Sequence, residues 1–192
     1  LTPVLIDAQA SGPPLDLTAG AERVAGIRWS QVRVRSADIA HETVLAALPF
    51  HCGVALLSSD ADATADGVAL DHLVGVLRSE SCVVVLDISA RDARRESLAP
   101  EIEILLVPPT MGGIVSGHRS LRPGTRVVLV ETGHADVALN QVAEYLARPE
   151  VGSVRWQRAV IAGERAGAGT PRGTDVMKLA ASVLEAHGHG TA

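Results

Sequence analysis

The sequence predicts an α/β domain: three layers, a mainly parallel sheet with helices on both faces. Three observations carry that prediction. Short apolar runs rich in Val, Leu and Ile recur along the 192 residues, stretches with helical spacing lie between them, and aromatics make up only 2%. Runs of this length are too short for buried helices and suit strands covered on both faces. A core nearly without aromatics must be filled by Val, Leu, Ile and Ala, which fits such strands under Ala-rich helices. One domain spanning 1–192 is the expected organisation, since a chain of this size buries about 70% of its unfolded surface in a single core.

Taken in order, the runs are PVLID at 3–7, GVALLS at 53–58, CVVVLDI at 82–88, EILLVP at 103–108 and RVVLVE at 126–131. Between them SADIAHETVLAALP opens at Ser36 and ADGVALDHLVGVLR at Asp66, both N-cap residue types. ADVALNQVAEYLA follows Asp136, and TDVMKLAASVLEAHG runs from a Thr174 cap to a terminating Gly188. Strand–helix alternation of this kind argues for parallel pairing. GERAGAGTPRGTD at 163–175 reads as a mobile loop before the last helix. There is no internal repeat and no clear linker.

Composition narrows the function classes. Net charge is −5, and Lys178 is the only lysine among seventeen basic residues, with no basic, aromatic-interleaved face. Nucleic-acid binding is therefore not indicated. Cys52 and Cys82 lack ligand spacing and read as two buried thiols in a reducing compartment. No apolar run is long enough to span a bilayer, and no signal peptide is visible, so a cytoplasmic protein is expected.

Polar residues end several strands at one edge of the expected sheet: Asp7, Ser58 with Ser59, and Asp87. An Asp there can hold a metal-bound water beside a phosphate, although Asp is equally a strand-ending or capping residue. The glycine-rich loop closing on GK[ST], which carries the phosphates in such a site, is absent from these residues. GAGTPRGT at 167–174 has the wrong spacing and no lysine. The seven histidines show no ligand spacing, and His187 with His189 sits in a C-terminal tail. Neither Ser58-Ser59-Asp60 nor Ser116-Gly117-His118 makes a hydrolase triad, because no G-x-S-x-G elbow accompanies them.

The opening LIDAQASGPPLDLTAGAERVAGIRW, then SADIAHETVLAALPFHCGVALLSSD at 36–60, CVVVLDISAR at 82–91 and ILLVPPT at 104–110, resembles the MinD/ParA class of P-loop ATPases in order and spacing. The CpaE/TadZ-like branch, including actinobacterial septum-site-determining and secretion-neighbourhood CpaE-like proteins, is the nearest likeness. The resemblance covers essentially the whole chain. It implies a fold N-terminally incomplete by a first strand and its phosphate loop, with the vacancy filled by a rearranged strand or a neighbour. It places Asp7, Gln9, Ser11, Gly12 and Asp87 at a nucleotide and magnesium site that departs from the family pattern. Gln9 stands where active members carry a second acidic residue, and Ser89, Ala90 and Arg91 stand where the switch has proline and glycine. Gln orients a water but carries no charge.

The implied role is placement of pilus, secretion or septum machinery by protein binding, with a homodimer across the worn nucleotide face. Recruitment would be to a pole, the septum or the inner membrane surface. No cofactor is expected for this chain, with ATP and magnesium only if the site is completed in a longer protein. The alternatives are an active ATPase whose phosphate loop lies upstream and a structural module of a larger assembly. RDARRESLAP at 91–100 places Arg91, Arg94 and Arg95 on one side of a short helix, a solvated surface or a docking patch for an acidic partner. Trp156 beside Arg155 is a second candidate contact, set against burial in the core.

Overall fold

The computed structural model describes residues 1–9, 12–33, 39–60, 65–78, 82–92, 96–131, 135–147, 150–155, 157–165 and 174–188. These divide into two compact units, Leu1–Ala99 and Pro100–Ala192.

In the first unit β1 (Thr2–Asp7) lies between β3 (Val54–Leu57) and β4 (Cys82–Asp87), parallel to both. β2 (Phe50–His51) adds antiparallel to β3, giving the order β2-β3-β1-β4. The β2–β3 hairpin turns through Cys52 and Gly53 at φ 50° and 85°. Cys52 is exposed there, so the expectation of two buried thiols fails: the residue occupies a left-handed turn position and not a strand interior.

One face of this sheet is packed. Val4, Ile6, Ala55 and Leu57 meet Leu70, Leu73, Val74 and Leu77 of α3 (Gly67–Leu77), Val44 of α2 (His41–Ala47) and Trp29. Period-2 alternation puts Val4 and Ile6 on the same side, which is why both are fully buried while Leu5 is not. Asp66 caps α3 as expected, accepting from Val68 N at 3.3 Å. α2 starts at His41 after Ala40, and Ser36 lies outside the described residues. The run at 82–88 does not keep both faces covered. β4 is the outer strand, and Val83 and Val85 are 39% and 51% exposed. Among the described residues no rearranged strand fills the place beside it.

In the second unit β5 (Ile104–Val107), β6 (Arg126–Glu131) and β7 (Glu150–Arg155) run parallel in that order. Three helices join or follow them: α4 (Met111–Ser120), α5 (Leu139–Leu146) and α6 (Arg158–Arg165). α7 (Asp175–Gly188) starts directly after Thr174 and includes Gly188 instead of stopping before it.

α4 is built on close approach. Thr110 caps it by accepting from Gly113 N at 3.0 Å. A Cβ on Gly113 would stand 2.3 Å from the Pro108 carbonyl, and one on Gly117 would stand 3.1 Å from Val107. The helix can lie this close to β5 because those side chains are missing. The loop expected before α7 falls mostly on residues 166–173, outside the described residues.

Candidate functional site

The polar site lies at the carboxyl end of the first unit's sheet and begins with Asp7. Parallel pairing aligns Asp7 with Asp87 at the ends of β1 and β4, while Ser58 and Ser59 follow β3. The structure therefore brings the strand-ending polar residues together within one unit, as a parallel sheet must when its strands finish level.

Asp7 is 2% exposed, and donors from its own chain surround it. Oδ2 accepts from Ser59 N at 3.2 Å, from the Ser59 hydroxyl and from Leu15 N at 3.4 Å, while Oδ1 accepts from Gln9 N at 3.2 Å. Its backbone carbonyl accepts from the Trp29 indole N–H at 2.6 Å. The Asp7 carboxylate thus ties three segments to one strand end: the backbone at Gln9, the start of α1 (Leu15–Ala19) and Ser59, two residues past β3.

Asp87 has a different setting. It is half-buried, and its Oδ1 accepts from the Gln9 side-chain amide at 2.6 Å, so Gln9 bridges the ends of β1 and β4. An acidic side chain at that position would face a carboxylate. The amide presents a donor instead, which is the chemical consequence of Gln at position 9.

A second knot lies beside the first. Asp16 is buried, with Arg28 Nε donating to Oδ2 at 2.6 Å and the Ser58 hydroxyl donating to Oδ1 at 3.1 Å. Arg28 spends its remaining groups on backbone carbonyls of its own loop, Gly26 at 3.1 Å, Ala21 at 3.2 Å and Val24 at 3.3 Å. A planar guanidinium satisfies several acceptors at fixed geometry, so one side chain shapes residues 20–28. Trp29 follows it into the core at 4% exposure, and its backbone N–H donates to the Ser58 carbonyl at 3.1 Å.

Gly12 is exposed at φ 125° with open space around it, and Ser11 lies outside the described residues. Arg91 is exposed in a turn, its backbone N–H donating to Ser89 Oγ at 3.4 Å. No helix forms among the described residues of 91–100, where residues 96–98 make turns instead. Arg94, Arg95 and Trp156 lie outside the described residues. Asp16, Arg28 and Trp29 were not singled out as site residues from the sequence. Only the Asp within LDL could have drawn attention, because nothing local pairs it with an Arg twelve positions on. Among the described residues no group of three or more His, Cys, Asp or Glu could hold a metal ion, and no helix is long and apolar enough to cross a membrane.

No protein-family model matches the sequence, and no curated protein matches it. Solved structures do. The chain is similar to a ParA family ATPase from Chlorobium tepidum, with a TM-score of 0.76 and 9% identity over 95% of this chain and 85% of that one. It is also similar to a chain of the MinC:MinD cell division protein complex of Aquifex aeolicus, with a TM-score of 0.73 and 14% identity over 96% and 83%. The septum site-determining protein MinD of Pyrococcus horikoshii, solved with Mg-ADP, gives a TM-score of 0.67 and 14% identity over 96% and 82%. At these identities the likeness concerns the fold, which is the α/β fold of MinD and ParA ATPases.

Proposed function

We propose that this chain is a CpaE/TadZ-like localisation or scaffolding factor for pilus, secretion or septum machinery, acting by protein binding with a degenerate nucleotide site. The observation that carries the reading is the occupancy of the two strand-end aspartates by the chain itself. Ser59, Leu15 and Gln9 donate to the Asp7 carboxylate, and the Gln9 amide donates to Asp87. A magnesium–nucleotide group needs open carboxylate oxygens and a phosphate-cradling loop with its lysine. These residues do not fit it: the Asp7 oxygens are engaged, and the only lysine is Lys178 on α7. Binding to a protein partner asks for none of this.

A second reading, an ATPase whose phosphate loop lies outside these 192 residues, is favoured by the fold shared with ParA and MinD, one solved with Mg-ADP. Calorimetric titration with ATP or ADP and magnesium separates the two. The scaffold reading expects no binding heat from the 192-residue chain or from any longer form of the polypeptide. Micromolar binding to the chain itself would overturn it, and binding confined to a longer form would favour the second reading, to be followed by phosphate release on that form.

A further inference from the structure

We propose that Ser58, Ser59 and Asp60 form one anchor that makes residues 15–31 a strap at the polar end of the first unit's sheet, opening and closing as a single body. The anchor is the stretch directly after β3, and every contact it makes with the strap lies within Leu1–Ala99. Each member holds a different part. The Ser58 hydroxyl accepts from Asp16 N and donates to Asp16 Oδ1, both at 3.1 Å, while the Ser58 carbonyl accepts from Trp29 N at 3.1 Å. Ser59 acts through Asp7, whose Oδ2 accepts from the Ser59 hydroxyl and N–H and also from Leu15 N. Asp60 takes the far end, its Oδ2 accepting from the Ser30 hydroxyl and N–H.

Within the strap the parts depend on one another. Asp16 is held by Ser58 and by Arg28 Nε, and Arg28 in turn holds the carbonyls of Ala21, Val24 and Gly26. The Asp16 carbonyl accepts from Ala21 N at 2.7 Å. Releasing Ser58 therefore loosens Asp16, and with it the loop that Arg28 shapes. α1 does not stand without these contacts, since five residues are too few for an isolated helix in water.

Residues 15–31 contain no strand, and their attachment to the buried core is Trp29, with Ile27 packed against the same cluster. Ile27 N also donates to the Ala47 carbonyl at 2.9 Å, which seats the middle of the strap outside the anchor. A segment held chiefly by polar contacts and few apolar ones belongs to the low end of local opening energies. Opening takes the Leu15 N–H and the Trp29 indole from Asp7 and leaves it the Gln9 and Ser59 donors. The strap thus sets how far the sheet end is closed. That holds whether the chain is a scaffold or an ATPase, so its test and the nucleotide titration are distinct.

Hydrogen exchange of the 192-residue chain, followed amide by amide by NMR, tests the strap. The Asp16, Ala21, Val24, Ile27 and Trp29 amides are expected to share one opening equilibrium, and to open more often than the amides of β1. Two variants then reach the ends separately. Ser59→Ala removes a hydroxyl that touches Asp7, and Ser30→Ala removes one that touches Asp60. Each is expected to lower protection at all five amides together, by about fivefold or more relative to β1, whose retained protection shows that the variant is folded. Strap amides that open only with β1, unrelated equilibria along the strap, or variants that each change only the amides beside the lost hydroxyl would overturn the proposal.

Discussion

Asp7 and Asp87 occupy matched positions at the ends of neighbouring parallel strands, and each closes an apolar run in the sequence. Their surroundings differ in kind. Asp7 is buried in the middle of its sheet, with donors from three segments converging on it. Asp87 is half-buried on the outer strand and is met by the side-chain amide of Gln9. An identical local signature thus marks a structural knot in one case and a side-chain amide contact in the other. The strand's place in the sheet decides which, because a central strand end is enclosed by two neighbours and the loops that follow them.

The comparison can be broken in several ways. The largest effect is expected from Asp7→Ala, which leaves the buried Ser59 donors and the half-buried Leu15 and Gln9 N–H groups without their acceptor. A loss of about 4 kcal/mol is expected by urea unfolding. A value under about 1 kcal/mol would mean that water replaces the carboxylate and that the knot is decorative. Next comes Arg28→Met, which strands the buried Asp16 beside Ser58 and should cost about 3 kcal/mol. Converting Asp16 to Leu in the same chain should recover much of that loss, since the uncompensated charge is then gone. The smallest effect belongs to Asp87→Ala and Gln9→Ala, each within about 1 kcal/mol of the parent and no more costly together than apart. Should Asp87→Ala prove as damaging as Asp7→Ala, the distinction between the two aspartates collapses.

Legibility in the sequence followed the same physical divide. β1, β3, β4, β5 and β6 were readable because strands of a parallel sheet are written as runs of Val, Leu and Ile, even where, as in β4 and β5, alternate residues are exposed, and α3 was readable from its Asp66 cap. α4 was not, because MGGIVSGHRS carries glycines that oppose helix formation, and only their closeness to Pro108 and Val107 explains them. β7 escaped for a similar reason. EVGSVR is interrupted by Gly152, whose Cβ would stand 2.7 Å from Leu179 of α7. At the site, the strand-end aspartates and serines were visible, since periodicity places strand ends. The Arg28–Asp16 pair and the Trp29 N–H on Asp7 were not visible, since they depend on how a loop folds back and no local pattern encodes that.

The central position of β1 also has a consequence in time. Thr2–Asp7 is the first strand of these residues to be synthesised, yet one of its ladders requires Ala55–Leu57 and the other Cys82–Asp87. At roughly 5 to 20 residues per second, this apolar segment waits several seconds on the ribosome before its second neighbour exists. Pairings so distant along the chain also make for slow folding once synthesis is complete. The strand that organises the site is therefore the one most in need of protection while the protein is being made.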